Sequence, residues 1–214
     1  NVLFIVFCKK IILLNCILLY NIIYNIYFNI LCKKNLNINS IENMMGIPSY
    51  FVHLIKNYKC ILKIYNKNIR IENFYLDSNS IIYDAVNSIN YDKDNYENKI
   101  IDYVIQKLNY YINLIDPINI IYIAFDGVAP IAKLEQQRNR RYKTWYTNNY
   151  LNINEENKWD TCAITPGTKF MNKLTKKIQD YYKNNKYKNA NIIVSGSNEV
   201  GEGEHKIFNH IREN

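Results

Sequence analysis

The stretch Asn119-Ile-Ile-Tyr-Ile-Ala-Phe-Asp126-Gly-Val-Ala-Pro130-Ile-Ala-Lys133-Leu-Glu-Gln-Gln137-Arg-Asn-Arg140-Arg141-Tyr142 decides the fold. Its β-branched opening, Ile120 to Phe125, reads as a buried strand. The strand ends at a carboxylate, Asp126, and Gly127 follows at once. Pro130 suits the first turn of a helix, where its missing N–H costs nothing. On that helix Lys133, Gln137, Arg140 and Arg141 share one face at 3.6 residues per turn. An acid at a strand tip beside a helix with one cationic face points to a metal next to a phosphate pocket.

The same order of strand, acid and helix occurs upstream. Asn73 to Leu76 reads as a short strand ending at Asp77; small polar residues follow, then the helical stripe Ile81, Ile82, Ala85, Val86. A longer helix places Ile101, Val104, Ile105, Leu108, Ile112 and Ile115 at a clean 3.6 period, and Asp116-Pro117 ends it. Beyond the basic helix, Asn148 to Thr161 reads as a polar loop. Thr165-Pro-Gly-Thr168 is a turn capping an amphipathic helix through Phe170, Met171, Leu174, Ile178 and Tyr181. Ile192 to Val194 is a third buried strand. Gly201-Glu202-Gly203-Glu204-His205-Lys206 opens the last helix, with Ile207, Phe208 and Ile211 expected inward. Strands alternating with helices imply a parallel sheet in an α/β sandwich, whose ligands gather at the carboxyl ends of the strands. Asp77, Asp126, Glu202 and Glu204 all lie just past such ends. Crowded carboxylates need a cation, and an all-oxygen set suits Mg²⁺ or Mn²⁺. Glu202 and Glu204, two residues apart, diverge by roughly 200° on a regular helix. His205 and His210 read as structural or surface residues.

Charge is concentrated. Of the net +8, residues 46–214 hold +5, and the segment Ile131–Trp145 alone holds +4 with three of the five arginines. A concentrated basic surface suggests a polyanion, and Arg offers phosphate a bidentate geometry that Lys lacks. The five cysteines show no zinc-ligand spacing and suit reduced thiols in an intracellular protein. Residues 1–44 differ in composition from the rest. Ile11 to Cys32 is uncharged and long enough to cross a bilayer, which would make it a membrane anchor. Asn15, Asn21, Asn25 and Asn29 argue against that span, because amides are costly in hydrocarbon. The preferred reading is an upstream extension with the composition of translated AT-rich noncoding DNA, Met45 being the expected start and 45–214 the domain.

Five blocks in order resemble the N-terminal region of the Xrn-type 5′→3′ exoribonucleases: Met45-Gly-Ile-Pro-Ser-Tyr-Phe, Tyr75-Leu-Asp-Ser-Asn-Ser-Ile-Ile, Phe125-Asp-Gly-Val-Ala-Pro through Arg140-Arg141, Ile164-Thr-Pro-Gly-Thr, and Gly201-Glu-Gly-Glu-His-Lys-Ile. The resemblance implies a PIN-like, flap-endonuclease-like α/β/α nuclease fold, incomplete at its C-terminus. It implies processive hydrolysis of RNA bearing a 5′-monophosphate, with divalent metal, no small-molecule cofactor, and a place in the cytoplasm or nucleus. By position, Asp77, Asp126, Glu202 and Glu204 would be the metal-site and catalytic acids. Lys133, Gln137, Arg140 and Arg141 would hold the 5′-phosphate, and Tyr83, standing where the family has a His, would stack on the 5′ base. The family places a further Gly-Leu-Asp-Ala-Asp-Leu block soon after the last helix, and Asn214 precedes it. Half of the metal acids are therefore absent, and this polypeptide is expected to be inactive or nearly so. The rival expectation is a non-catalytic module that binds RNA 5′ ends.

Overall fold

The computed structural model describes residues 4–8, 11–15, 56–57, 62–63, 70–92, 94–129, 131–150, 159–185, 187–188 and 190–214. The helix expected from Pro48 and the initiator block at Met45 lie outside the described residues, as does Pro130.

Six strands form one sheet in the order β3-β1-β2-β4-β5-β6. They are β1 (Phe4–Cys8), β2 (Ile11–Asn15), β3 (Leu62–Lys63), β4 (Asn73–Asp77), β5 (Ile120–Ala124) and β6 (Asn191–Ser195). The helices are α1 (Asn79–Ser88), α2 (Tyr96–Ile115), α3 (Ile131–Tyr150), α4 (Lys169–Asn184) and α5 (Gly203–Glu213). Strands β2, β4, β5 and β6 run parallel, while β1 is antiparallel to its neighbours β2 and β3. Ile11–Asn15, the opening of the uncharged run, is thus a sheet strand in register with β4, and the rest of that run lies outside the described residues. Among the described residues no helix is long and apolar enough to cross a membrane.

Alternation along the strands sorts side chains to two faces, as a period of two requires. Phe74, Leu76, Ile121, Ile123 and Phe125 meet α1, α2 and α4 in the main core, while Tyr75, Tyr122 and Ala124 meet Ile207 of α5 on the other face. Helices on both faces make this the α/β/α sandwich that the sequence implies. Each fully buried Ile or Leu in the main core contributes about 1.5–3 kcal/mol. The α2 stripe is buried as its period predicts, and Asp116 leaves the helix in the left-handed region at φ 51°. Thr168 caps α4 by accepting from the Met171 N–H at 3.3 Å.

Three local expectations change. The helix α3 runs on to Tyr150, so residues 148–150 are helical, not loop. On α4 it is Tyr182, not Tyr181, that is buried, and its hydroxyl donates to Asn109 Oδ1 at 3.0 Å. Phe208 is exposed: Lys206, Ile207 and His210 occupy the inner face of α5 in its place.

Candidate active site

The parallel register sets the site. Asn15, Asp77, Ala124 and Ser195 lie in one row across β2, β4, β5 and β6 at their carboxyl ends. Asp77 is followed by the Ser78 N–H, which donates to the Ala124 carbonyl at 2.9 Å and carries the pairing one step past the strand. Asp77 shares the sheet face of Tyr75, and Asp126 that of Ala124, so both acids point toward the side that α5 covers.

The first turn of α5 presses onto this pair. A Cβ on Gly203 would stand 2.8 Å from Asp77 Oδ1 and 3.5 Å from Asp126 Oδ1, so only glycine leaves both carboxylates in place. The Gly203 N–H donates to Asp126 Oδ1 at 2.8 Å. The positive end of the helix dipole adds to that bond in holding the Asp126 carboxylate. Asn79, buried at the start of α1, grips Asp126 twice: its Nδ2 donates to Oδ2 at 2.6 Å, and its Oδ1 accepts from the Asp126 N–H at 3.1 Å. Asp77 is treated oppositely. Burial first, and the Asp126 carboxylate second, push its pKa up to about 7; the Asn79 backbone N–H works against them, and Glu204 and Glu202 add to the rise. Its Oδ1 is buried and has no hydrogen-bond partner among the described residues.

Lys206 lies beneath the acids. It is 6% exposed, and its Nζ donates to the Phe125 carbonyl at 2.9 Å and the Gly196 carbonyl at 2.6 Å. One ammonium therefore ties the ends of β5 and β6 together directly before Asp126. Burial lowers the Lys206 pKa, while Glu199 and Asp126 oppose that shift. Neither Asn79 nor Lys206 is singled out by the sequence reasoning, although both lie within the quoted blocks. A lysine on the apolar stripe of α5, beside Ile207, is the signal that could have found the second.

The remaining expected residues are placed as follows. Glu202 is the N-cap residue of α5 with its side chain only 12% exposed, 3.9 Å from His205 Nδ1, whereas Glu204 in the first turn is exposed. The two acids differ in burial, as their spacing requires. Tyr83 is exposed on α1. On α3, Gln137 and Arg141 are half-buried, and Arg141 Nε donates to the Gln137 carbonyl at 3.3 Å. The side chains of Lys133 and Arg140 lie outside the described residues, though their backbone is helical. His210 is structural, its ring 4.5 Å from that of Tyr122.

Gly127 positions the loop that leads into α5. Its N–H donates to the Gly201 carbonyl at 2.9 Å, and the Gly201 N–H donates back to Val128 at 3.0 Å. A Cβ at Gly127 would fall 1.6 Å from the Glu199 carbonyl oxygen, an overlap that only backbone movement can relieve. Gly127→Ala is expected to lose these two bonds and about 2 kcal/mol of stability, read as a lower urea midpoint in equilibrium unfolding; an unchanged midpoint would contradict the close approach.

A hard divalent cation fits this chemistry on one observation: a buried carboxylate oxygen without a hydrogen-bond partner is satisfied by a proton or by a cation. Among the described residues, however, no three His, Cys, Asp or Glu side chains draw together as a complete ligand cluster. The donor set is partial.

Fold and site together define an α/β domain with an acidic centre at the carboxyl edge of its sheet. The chain belongs to the family described as XRN 5′-3′ exonuclease N-terminus, whose model matches residues 45–214. It is similar to the 5′-3′ exoribonuclease 1 of Saccharomyces cerevisiae, with 35% identity over 78% of this chain and 12% of that protein. It is also similar to the 5′-3′ exoribonuclease 2 of Eremothecium gossypii, with 31% identity over 78% of this chain and 22% of that protein. The 5′-3′ exoribonuclease 2 homolog of Drosophila melanogaster is 29% identical over 78% of this chain and 24% of that protein. The chain thus spans less than a quarter of the length of these curated relatives.

Proposed function

We infer that this chain is the amino-terminal part of a 5′→3′ exoribonuclease acting processively on RNA with a 5′-monophosphate in the cytoplasm or nucleus. The observation that carries the reading is the Asp77–Asp126 pair beneath the first turn of α5, one acid pushed up to a pKa of about 7 by burial and the other gripped by Asn79 and the Gly203 N–H. Asp77 and Asp126, with Glu202 and Glu204 at the same helix start, would hold Mg²⁺ or Mn²⁺. Such an ion, when bound, activates water and neutralises charge developing on the scissile phosphate. Asn79 and the Gly203 N–H keep Asp126 in one orientation, and Lys206 fixes the strand ends that carry it. Lys133, Gln137, Arg140 and Arg141 would take the terminal phosphate, and Tyr83 offers an exposed ring to the first base. A pocket fitted to a terminal monophosphate would exclude capped and triphosphorylated ends by room and by charge.

A second reading, a non-catalytic module for RNA 5′ ends, is favoured by the partial donor set among the described residues. The phosphate face belongs to both readings; turnover separates them. The 214-residue chain is expected to bind 5′-monophosphorylated RNA about tenfold more tightly than the same RNA with a 5′-hydroxyl, and Arg141→Ala is expected to erase the difference. Fluorescence anisotropy measures it, and equal affinity for the two ends would remove the phosphate pocket. With Mg²⁺ added, little or no decay is expected from this chain alone; robust processive decay would show that its own acids suffice.

A further inference from the structure

The distal half of α3 carries a set of exposed rings. Tyr142, Trp145, Tyr146 and Tyr150 are between 47% and 64% exposed. They form a continuous band: Tyr142 and Trp145 lie 5.8 Å apart by ring centroid, Trp145 and Tyr150 5.9 Å, and Tyr146 stacks on Tyr150 at 4.9 Å with planes 24° apart. None of the described side chains of α3 is buried. Their placement is orderly. Trp145 follows Arg141 by four residues, about 40° further round the helix, and the other rings continue in the same sense. From Arg141 to Tyr150 the axis rises about 14 Å.

The chemistry around the band selects its occupant. After Leu134 the helix has no aliphatic residue, and Glu135 is its only acid. Arg138 and Lys143, both exposed, stand among amides and hydroxyls on the same helix. The core of a protein–protein interface is depleted in charge. Rings that follow a cationic stretch, with Lys143 among them, match a strand of stacked bases joined by phosphates.

We propose that residues 142–150 of α3 form a stacking platform for single-stranded RNA, continuous with the cationic face that takes its 5′ end. The proposal rests on the reading of α3 as an RNA-binding helix. Because every base has a π face, the platform is indifferent to sequence. It needs unpaired bases, so duplex RNA gains nothing from the rings.

The test uses the 214-residue chain and a uridine 20-mer, supplied with a 5′-monophosphate or a 5′-hydroxyl, against a blunt RNA duplex. The triple variant Tyr142→Ala/Trp145→Ala/Tyr146→Ala is expected to bind the single strand about tenfold more weakly, by the same factor for both 5′ ends, with duplex affinity unchanged. The matching triple Phe variant is expected to bind like the parent. Far-UV circular dichroism should show both variants equally helical. Full affinity in the Ala variant overturns the proposal, as does an equal loss on duplex, failure of the parent to bind the single strand, or a change confined to self-association, which would make the band a protein contact. The ratio between the two 5′ ends reports on the phosphate pocket separately, so failure of the platform and failure of the pocket give different results.

Discussion

Asp77→Asn is expected to stabilise the protein by about 4 kcal/mol at pH 7.5 in the presence of EDTA. In the folded chain Asp77 titrates near 7, against 3.8 for an ordinary Asp, and that gap corresponds to about 4 kcal/mol. The sign follows from proton counting. Below pH 3.8 both folded and unfolded chains hold the proton, and the acid costs nothing. Between pH 3.8 and about 7 the unfolded chain ionises while the folded chain keeps its proton, so stability falls as pH rises; above that the loss is complete. The amide has no such titration. The difference between wild type and variant should therefore be close to zero at pH 3.5 and grow to its full size by pH 7.5, read by urea unfolding across that range. Mg²⁺ should narrow the difference by stabilising the wild type alone, through binding to its folded state. A variant no more stable than wild type at pH 7.5 would mean that Asp77 is not held against its own ionisation.

The second large effect is expected at Lys206. Lys206→Met keeps the apolar stem and removes the ammonium that bridges the Phe125 and Gly196 carbonyls. Two buried acceptors would lose a charged donor, and the nearby carboxylates would lose a compensating charge. The expected cost is about 3 kcal/mol, and the pKa of Asp77 should rise further. Urea unfolding gives the first quantity, and carboxyl ¹³C NMR titration the second. Lys206→Arg retains the charge and is expected to recover part of the stability. Stability in Lys206→Met equal to that of the parent would show that water satisfies both carbonyls.

Together these two residues describe a site kept at a cost to the fold. Asp77 is buried with an oxygen that finds no partner among the described residues, and burial of Lys206 works against its own charge, with Glu199 and Asp126 opposing that shift. A core optimised for stability would hold neither; under the proposed function both would serve a centre for a cation and a phosphate, as a desolvated acid on rigid strand ends.

Much of this was legible in the chain. The apolar runs before Asp77 and Asp126, and the one at Ile192 to Val194, are the three strands β4, β5 and β6, because short apolar runs closed by an acid or a glycine have few other places in an α/β domain. The 3.6 period of α2 and the Thr168 cap of α4 are local features, and local physics determines them. Placing the acids at one sheet edge also followed from order alone, since parallel strands bring their carboxyl ends to the same side. Three features were not legible: the double grip of Asn79 on Asp126, the fit of Gly203 between two carboxylates, and the reach of Lys206 to two strand ends. Each joins residues 10 to 81 positions apart or depends on a close approach that no spacing rule encodes. The exposure of Phe208 has the same origin, because both neighbouring faces of α5 look apolar until the sheet chooses one. Sequence periodicity by itself determined β4, β5 and β6, the helices between them and the sheet edge on which the acids stand, whereas β1, β2 and β3 were not legible in it. Only the tertiary structure decided which acid is buried and pushed toward protonation and which is gripped by hydrogen-bond donors, because both depend on the distance to charges and donors supplied by other elements.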